Sequence, residues 1–401
     1  MKIVAAKNMP FVAEAFGTLG DVTLLDGRDI TADDVRDADL LVTRSTTPIT
    51  PALLEDSQVE FYGTATIGTD HIDIPYLEER GIRWCSAAGC NANSVSEYLT
   101  AALLCVGQKH GIALAGKTIG VIGVGNVGTR VVKKAAALGM TMLPNDPPRE
   151  RAGDRAPEVG GQRSEIGNRK SEVGTSWAAL PDVLAHSDIV TLHTPLTYEG
   201  KDATYHLADD DFFAQLKPGC IFVNAARGPI VDTDALLRAM DRGIVAHAII
   251  DTWEGEPDFR TDLLERVAIA SPHIAGYSYE GKYMGTVTVY REACRFLDEP
   301  PSWTPDALLP PPVVPELRAD PDLSTEAALW ELVRSVYDIE ADDARMRAVP
   351  AGGEAERRAH FDGLRKAYPI RREFRFTEVQ AKDTLSALQD SIRNLGFSVK
   401  A

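Results

Sequence analysis

The chain has 401 residues, 44% of them apolar and 25% charged, with a formal net charge of −17. That length exceeds one ordinary core and calls for two or three domains, and the composition can bury enough apolar surface to offset conformational entropy. The acidic excess excludes nucleic acid and anionic membranes as general partners, because both select a positive field; an anionic substrate in a locally basic pocket stays open.

The opening MKIVAAKNMPF is too short and too interrupted for a signal peptide. No apolar run approaches the roughly 18 residues of a membrane span. Cys85, Cys90, Cys105, Cys220 and Cys294 form no CxxC pair, and their odd number in a long chain speaks against a disulfide framework or a zinc site. A reduced, cytoplasmic setting with no bound metal is the expectation.

Taken in chain order, the first hundred residues alternate strand and helix signals. Lys2–Ala6, Val22–Leu25, Leu40–Thr43, Phe61–Thr64 and Arg83–Ser86 are short β-rich runs. Helix-like Pro51–Asp56 and Ile74–Arg80 lie between them. Such alternation implies parallel strands with crossover helices. Asn93–Val106 reads as one long helix, with Ser94 and Ser96 ahead of Glu97 as its cap.

A second βα series begins at Lys117. A helix over Val131–Leu138 follows its first strand, and further strand signals fall at Ile189–His193, Ile221–Asn224, His247–Asp251 and Val267–Ser271. Leu180–Ala185, Asp209–Leu216 and Asp234–Asp241 supply helices. Residues 149–176 differ: they are polar, poor in large apolar side chains, and repeat Glu158-Val-Gly, Glu165-Ile-Gly and Glu172-Val-Gly every seven residues. The repeat lacks the second apolar position of a coiled coil and reads as a flexible surface insertion. Tyr283–Phe296 looks helical, and residues 299–323, rich in proline, read as a linker. From Ser324 the chain reads as a small α+β domain, with helices over Ala327–Tyr337 and Thr384–Asn394 and a strand over Arg372–Val379.

Two constellations carry chemistry. The first, Gly123-Val-Gly125-Asn126-Val127-Gly128, matches G-x-G-x-x-G after a strand and before a helix, with Asp146 closing the next strand about 20 residues on. In that context Gly123 permits the tight turn, Gly125 lets the backbone approach a pyrophosphate, and Gly128 lets helix and strand pack closely. The helix N-terminus would face the phosphates with free N–H groups. Asp146 would accept from ribose hydroxyls and repel a 2′-phosphate, favouring NAD over NADP; nearby Arg149 and Arg151 weaken that preference. The alternative is a purely structural glycine turn.

The second constellation lies in three later segments that follow strand signals: Asn224-Ala-Ala-Arg227, Asp251-Thr-Trp-Glu-Gly-Glu256-Pro and Pro272-His273. Ligands in doubly wound sheets bind at the carboxyl ends of strands. His273 suits a base near neutrality. Glu256 can orient its imidazole and favour the charged form. Arg227 can grip a carboxylate through its planar fork. Singly these are weak signals, an Arg after a strand being more often a surface residue and a lone His more often structural; together behind a dinucleotide loop they read as a site.

At these residues the chain resembles the D-2-hydroxyacid dehydrogenase family, whose Arg–Glu–His set matches Arg227, Glu256 and His273. The stretches Thr43-Arg-Ser-Thr-Thr, Gly63-Thr-Ala-Thr-Ile-Gly-Thr-Asp-His-Ile-Asp, Gly89-Cys-Asn-Ala-Asn, His193-Thr-Pro-Leu and His273-Ile-Ala-Gly-Tyr resemble a branch of it that acts on a phosphorylated hydroxy acid. Tyr337-Asp-Ile, Asp342-Asp-Ala-Arg and Phe361-Asp-Gly-Leu-Arg-Lys are similar to that branch's dimerisation domain.

The resemblance implies an α/β fold of two Rossmann-like or flavodoxin-like lobes, each a doubly wound parallel sheet, plus a small C-terminal α+β domain. Residues 1–93 completed by 277–298 would bind substrate, 94–276 would bind NAD, and 324–401 would pair two subunits as a homodimer. It implies substrate contacts at Ser45, Thr66 and Tyr277, and NAD contacts at Asp146, Thr194, Asp251 and Gly276. Arg44, Ser45 and Thr46 place a cation and hydroxyls in a loop after a strand, a reasonable phosphate grip, although sequence alone favours simple turn capping for Ser45 and Thr66. Asp251 at a strand end could meet the nicotinamide amide. The insertion at 149–176 is longer than the family's usual connection. Two other readings stay open here: a relative acting on phosphoglycerate or glyoxylate, and a non-catalytic NAD-sensing regulator.

Overall fold

The computed structural model describes residues 1–157, 163–164, 171–172, 176–382 and 384–400. The chain divides into two units, residues 1–93 with 277–311 and residues 94–276 with 312–401.

In the first unit, β1 (Lys2–Ala6), β2 (Asp21–Leu25), β3 (Leu40–Thr43), β4 (Phe61–Thr64) and β5 (Arg83–Ser86) form a parallel sheet in the order β2-β1-β3-β4-β5. β3 and β4 are buried at every position, as a parallel sheet covered on both faces requires. The order reverses between β1 and β3, so the carboxyl ends of these strands open a crevice. The helix Tyr279–Phe296 returns to cover β4. It starts four residues before the expected Tyr283 because the Ser278 hydroxyl caps it, accepting from the Gly281 N–H at 2.9 Å.

In the second unit the helix Ala92–His110 begins earlier than expected, which corrects the reading of its cap. Ser94 and Ser96 lie inside the helix and are buried. The Ser94 hydroxyl donates to Glu373 at 3.1 Å, and the Glu97 carboxylate accepts from the Phe374 N–H at 3.0 Å. These polar side chains serve a segment nearly 280 residues away, a partnership that a local capping pattern cannot encode.

β6 (Thr118–Ile122), β7 (Thr141–Asn145), β8 (Ile189–Leu192), β9 (Cys220–Asn224), β10 (Val245–Ile250) and β11 (Ile269–Ala270) form a second parallel sheet, in the order β11-β10-β9-β8-β6-β7. Its reversal falls between β6 and β8. The helix after β6 spans Asn126–Ala137 and starts inside the glycine motif rather than at Val131. The core beneath the sheet is built from Phe212, Phe213, Phe222, Leu236 and Trp253.

The C-terminal residues belong to this same unit. β12 (Glu316–Arg318), β13 (Glu378–Gln380) and β14 (Ser398–Lys400) form a small parallel sheet, beside helices Thr325–Val336, Ile339–Arg347, Glu354–Lys366 and Ser386–Leu395. The last of these packs on Asn126–Ala137. Two expectations change here. The proline-rich stretch is not linker throughout, because Glu316–Arg318 finds a strand partner in Glu378–Gln380. The strand expected over Arg372–Val379 shrinks to its end, since a 3-10 turn occupies Phe374–Phe376. Half of the insertion at 149–176, namely residues 158–162, 165–170 and 173–175, lies outside the described residues, as do most of its Glu-centred repeats; a two-residue antiparallel pair, Arg163–Ser164 with Ser171–Glu172, is described. Among the described residues no helix is long and apolar enough to cross a membrane.

Close packing in the first unit makes a test. A Cβ on Gly63 would lie 2.1 Å from Val289 Cγ1. Gly63→Ala is expected to destabilise the protein by about 1–3 kcal/mol, as overpacking does, and Val289→Ala added to it should recover part of the loss. Urea midpoints of the single and double variants check this; no change in the single variant contradicts the packing.

Candidate active site

The reversal point of the second sheet carries the dinucleotide motif. Gly123 follows β6 with φ +84°, and a Cβ there would lie 2.7 Å from the backbone of His193 and Thr194, which follow β8. Only glycine lets these strand ends come this close. A Cβ on Gly128 would lie 2.1 Å from the Gly123 carbonyl oxygen. A Cβ on Gly125 would meet nothing within 4 Å, so that position opens onto free space. Asn126 and Val127 form the first turn of the following helix, and no side chain caps it.

A cavity of about 350 Å³ opens there, lined by Gly123, Gly125, Asp146, Pro147, His193 and Thr194 among others. Two polar atoms in its wall, Thr194 Oγ1 and His193 Nδ1, are buried without a hydrogen-bond partner. Burial pushes the His193 imidazole down to about 3, so the ring is neutral. Buried polar atoms ordinarily have partners; two orphans on one cavity wall fit a polar ligand. The residues present therefore fit a dinucleotide. His193 enters the sequence reading only inside a motif, and its burial and orphan nitrogen mark it as a functional position.

Asp146 braces the motif from within. One carboxylate oxygen accepts from the Val124 N–H at 2.8 Å and the other from the Arg149 N–H at 3.1 Å. Arg149 returns the contact, donating from Nη1 to the Val124 carbonyl at 2.6 Å. A carboxylate has about four acceptor positions, so both oxygens retain capacity for a hydroxyl donor.

The candidate catalytic residues Arg227, Glu256 and His273 follow the ends of β9, β10 and β11. Asn224, at the end of β9, donates from Nδ2 to the Arg227 carbonyl at 3.0 Å and accepts from the Ala226 N–H at 3.1 Å, shaping the turn that presents Arg227. Arg227 is partly buried, and its Nη1 donates to the Ala226 carbonyl at 2.8 Å. That leaves most of the fork's five donors for a ligand. A Cβ on Gly228 would lie 1.9 Å from the Trp253 carbonyl oxygen, so the Arg227 turn rests directly on the segment that leads to Glu256. Gly228 is a residue the sequence reading missed; nothing in its local pattern signals that contact.

Glu256 and His273 meet: Nδ1 of the imidazole lies 2.5 Å from Oε1 of the carboxylate. The second oxygen of Glu256 accepts from the Trp253 N–H at 3.0 Å. Burial alone would raise the Glu256 pKa, but the His273 charge and hydrogen bond, with the Trp253 N–H, bring it below its ordinary value. A carboxylate on Nδ1 requires the proton there, leaving Nε2 as the basic nitrogen. His273 sits at φ +56°, in the left-handed region. Asp251 holds it there. Its carbonyl accepts the His273 N–H at 2.7 Å, and its carboxylate takes the Ile274 N–H at 2.8 Å, the Ala275 N–H at 3.0 Å and the Ser271 hydroxyl at 2.6 Å. Gly276 follows directly.

Arg44, Ser45, Thr66 and Tyr277 belong to the first unit. Arg44 and Ser45 leave β3 at that sheet's reversal point, and Arg44 Nη1 is 3.5 Å from the Asn8 carbonyl beyond β1. Ser45 is exposed. Thr66 follows β4, and its hydroxyl donates to the Gly68 carbonyl at 3.0 Å, the local turn contact that capping would give. It lies 2.7 Å from the Thr64 hydroxyl, which is 3.3 Å from His71 Nε2. The Lys282 ammonium stands 4.9 Å above the Tyr277 ring.

Two outcomes follow from this geometry. Gly128→Ala should weaken NAD binding at least tenfold by displacing the Gly123 carbonyl, read by calorimetry; unchanged affinity would contradict the role of that contact. A depressed Glu256 pKa contributes stability that is complete above the ordinary value of 4.5 and is lost as pH falls through the lower folded value. Glu256→Gln should therefore flatten the fall in urea midpoint below pH 4.5; equal acid slopes in both proteins would rule this out.

Residues 105–275 match the model of the D-isomer specific 2-hydroxyacid dehydrogenase NAD binding domain, and residues 308–396 match a domain of unknown function. The chain is 42% identical to an erythronate-4-phosphate dehydrogenase of Edwardsiella ictaluri, covering 100% of both chains. It is also 42% identical to one of Salinibacter ruber, covering 93% of this chain and 92% of the other. Among solved structures, the Aquifex aeolicus D-lactate dehydrogenase complexed with NAD and lactic acid matches with TM-score 0.56 at 24% identity, over 74% of this chain and 95% of that one. An NAD+-bound 3-phosphoglycerate dehydrogenase of Entamoeba histolytica matches with TM-score 0.57 at 23% identity, over the same shares, 74% and 95%. At that identity the structures speak for the fold alone, whereas the full-length relatives decide the family: the chain belongs to the erythronate-4-phosphate dehydrogenases, within the D-isomer specific 2-hydroxyacid dehydrogenases.

Proposed function

We propose that the protein oxidises 4-phospho-D-erythronate to (R)-3-hydroxy-2-oxo-4-phosphooxybutanoate with NAD, a step in the synthesis of pyridoxal 5′-phosphate. The observation that carries the reading is the Glu256–His273 pair, 2.5 Å apart at the end of the sheet that bears the glycine motif. The substrate is inferred from the name borne by the full-length relatives.

Bound NAD supplies the acceptor for the hydrogen that leaves C2 with its electron pair. His273 Nε2 takes the C2 hydroxyl proton. Glu256, ionised on Nδ1, stabilises the imidazolium that results. Arg227 holds the substrate carboxylate and polarises the forming carbonyl. Gly123, Gly125 and Gly128 with the N–H groups of Asn126 and Val127 would hold the pyrophosphate, Asp146 the ribose, and Thr194, Asp251 and Gly276 the rest of the cofactor. Arg44, Ser45, Thr66 and Tyr277 would meet the substrate, the first two at its phosphate. The protein is proposed to work in the cytoplasm as a homodimer paired through its C-terminal residues.

His273→Ala should leave NAD affinity intact and lower turnover by about 1,000-fold, within the range for loss of a general base. The test incubates NAD with 4-phospho-D-erythronate, 3-phosphoglycerate or a 2-hydroxy acid without phosphate, and follows the 2-oxo product directly. Product from erythronate phosphate alone supports the assignment. Product only from another acid would keep the catalytic residues and remove the substrate; NAD binding with no product would return the sensor reading.

A further inference from the structure

The C-terminal residues bear on the catalytic loops as well as on their own small sheet. Four contacts, all within the second unit, reach the segments that flank Glu256 and His273. Arg357 donates from Nη2 and Nε to Asp258 at 2.9 and 3.2 Å, two residues beyond Glu256. Phe361, fully buried, packs on Phe259 with ring centroids 5.7 Å apart, and Phe259 packs on Trp253 at 5.3 Å. Asp343 accepts the Ala270 N–H at 2.7 Å, at the strand that leads to His273. Arg371, 5% exposed, donates to the Ala275 carbonyl at 3.1 Å, two residues after His273.

Loops lack the internal hydrogen-bond ladder of a helix or strand, so outside contacts must fix them. Glu256 lies on such a loop, and its partner Trp253 is the residue on which the Phe361–Phe259 stack ends. A general base misplaced by 1 Å can cost about a hundredfold in rate. We propose that the C-terminal segment fixes the geometry of the Glu256–His273 pair, with Arg357, through Asp258, and Arg371, through the Ala275 carbonyl, as positioning residues.

The proposal uses the reaction proposed above only for its turnover readout. Arg357→Met and Asp258→Asn should each lower kcat about tenfold while KM for substrate and the Kd for NAD stay within twofold. The double variant should be no slower than either single one, and the swapped pair Arg357→Asp with Asp258→Arg should recover much of the loss. Arg358→Met, on the same helix but in an exposed pair with Glu354, should match the wild type. Additive losses, or kcat unchanged in Arg357→Met, would overturn the proposal. A second readout needs no substrate. The hydrogen-bonded Nδ1 proton of His273 should give a far-downfield 1H signal in the wild type that shifts or broadens in Arg357→Met and persists in Arg358→Met. If the wild type turns over no hydroxy acid, the proposed reaction falls, while this signal still decides the positioning; an identical signal in all three proteins would refute it.

Discussion

The site depends on one buried carboxylate, that of Asp251. Asp251 is 1% exposed, and withdrawing its charge from water costs several kcal/mol unless donors replace the solvent. The Ser271 hydroxyl and the N–H groups of Ile274 and Ala275 do so. Burial raises the Asp251 pKa, and the His273 charge and these donors oppose the rise. The same bonds hold His273 in a left-handed conformation that costs roughly 1–2 kcal/mol for a residue with a Cβ. In that conformation the imidazole reaches Glu256. Were the Asp251 carboxylate absent, two buried amides would be left unpaired and the strained residue would keep only the bond from its own N–H to the Asp251 carbonyl.

The two halves of the second unit's site are held by different physics. On the nucleotide side the shape is set by what is missing: no Cβ at Gly123 or Gly128, and therefore a close approach of backbone to backbone beside the cavity, while Gly125 faces open space. On the chemical side the shape is set by charges and their donors, from Asn224 through Asp251 to Glu256. Both lie at carboxyl ends of one sheet, where a doubly wound topology gathers loops from different strands. The first unit repeats the logic at its own reversal point, where Arg44 and Ser45 leave β3. An acidic chain can thus place cations locally where an anionic substrate would need them.

Much of this was legible because the signals are local. Short β-rich runs between helical stretches mark ten strands to within a residue or two at most ends, and the spacing from Gly123 to Asp146 marks the nucleotide loop. Arg227, Glu256 and His273 stood out as candidates by type and by their place after strands, and the last two are in contact. What was not legible depends on partners distant in sequence. Ser94 and Glu97 look like part of a helix start until their partners in the C-terminal segment are seen. Gly228 looks ordinary until it meets Trp253. The helix Asn126–Ala137 looks shorter than it is because Gly125 and Gly128 mask its first turn. Asp251 was marked as a cofactor contact, but its fold-building bonds to Ile274 and Ala275 need three-dimensional neighbours to be seen.

The same reasoning accounts for the place of the C-terminal residues in the second unit. Glu256 and His273 come from two loops separated by a short helix and the two-residue strand β11. Strand pairing fixes where each loop begins but not where a side chain several residues onward ends. Asp251 restrains the His273 loop from the end of its strand, its described hydrogen bonds there going to Ser271, His273, Ile274 and Ala275 rather than to residues 256–259. Those residues are met from outside, by Arg357 on Asp258 and by Phe361 on Phe259. The Asp251 carboxylate acts on the His273 loop and Arg357 on the loop that carries Glu256, and restraining both loops defines the pair's position more tightly than restraining either alone. The C-terminal helices that pack against the loops carrying Glu256 and His273 are therefore part of how this site is held.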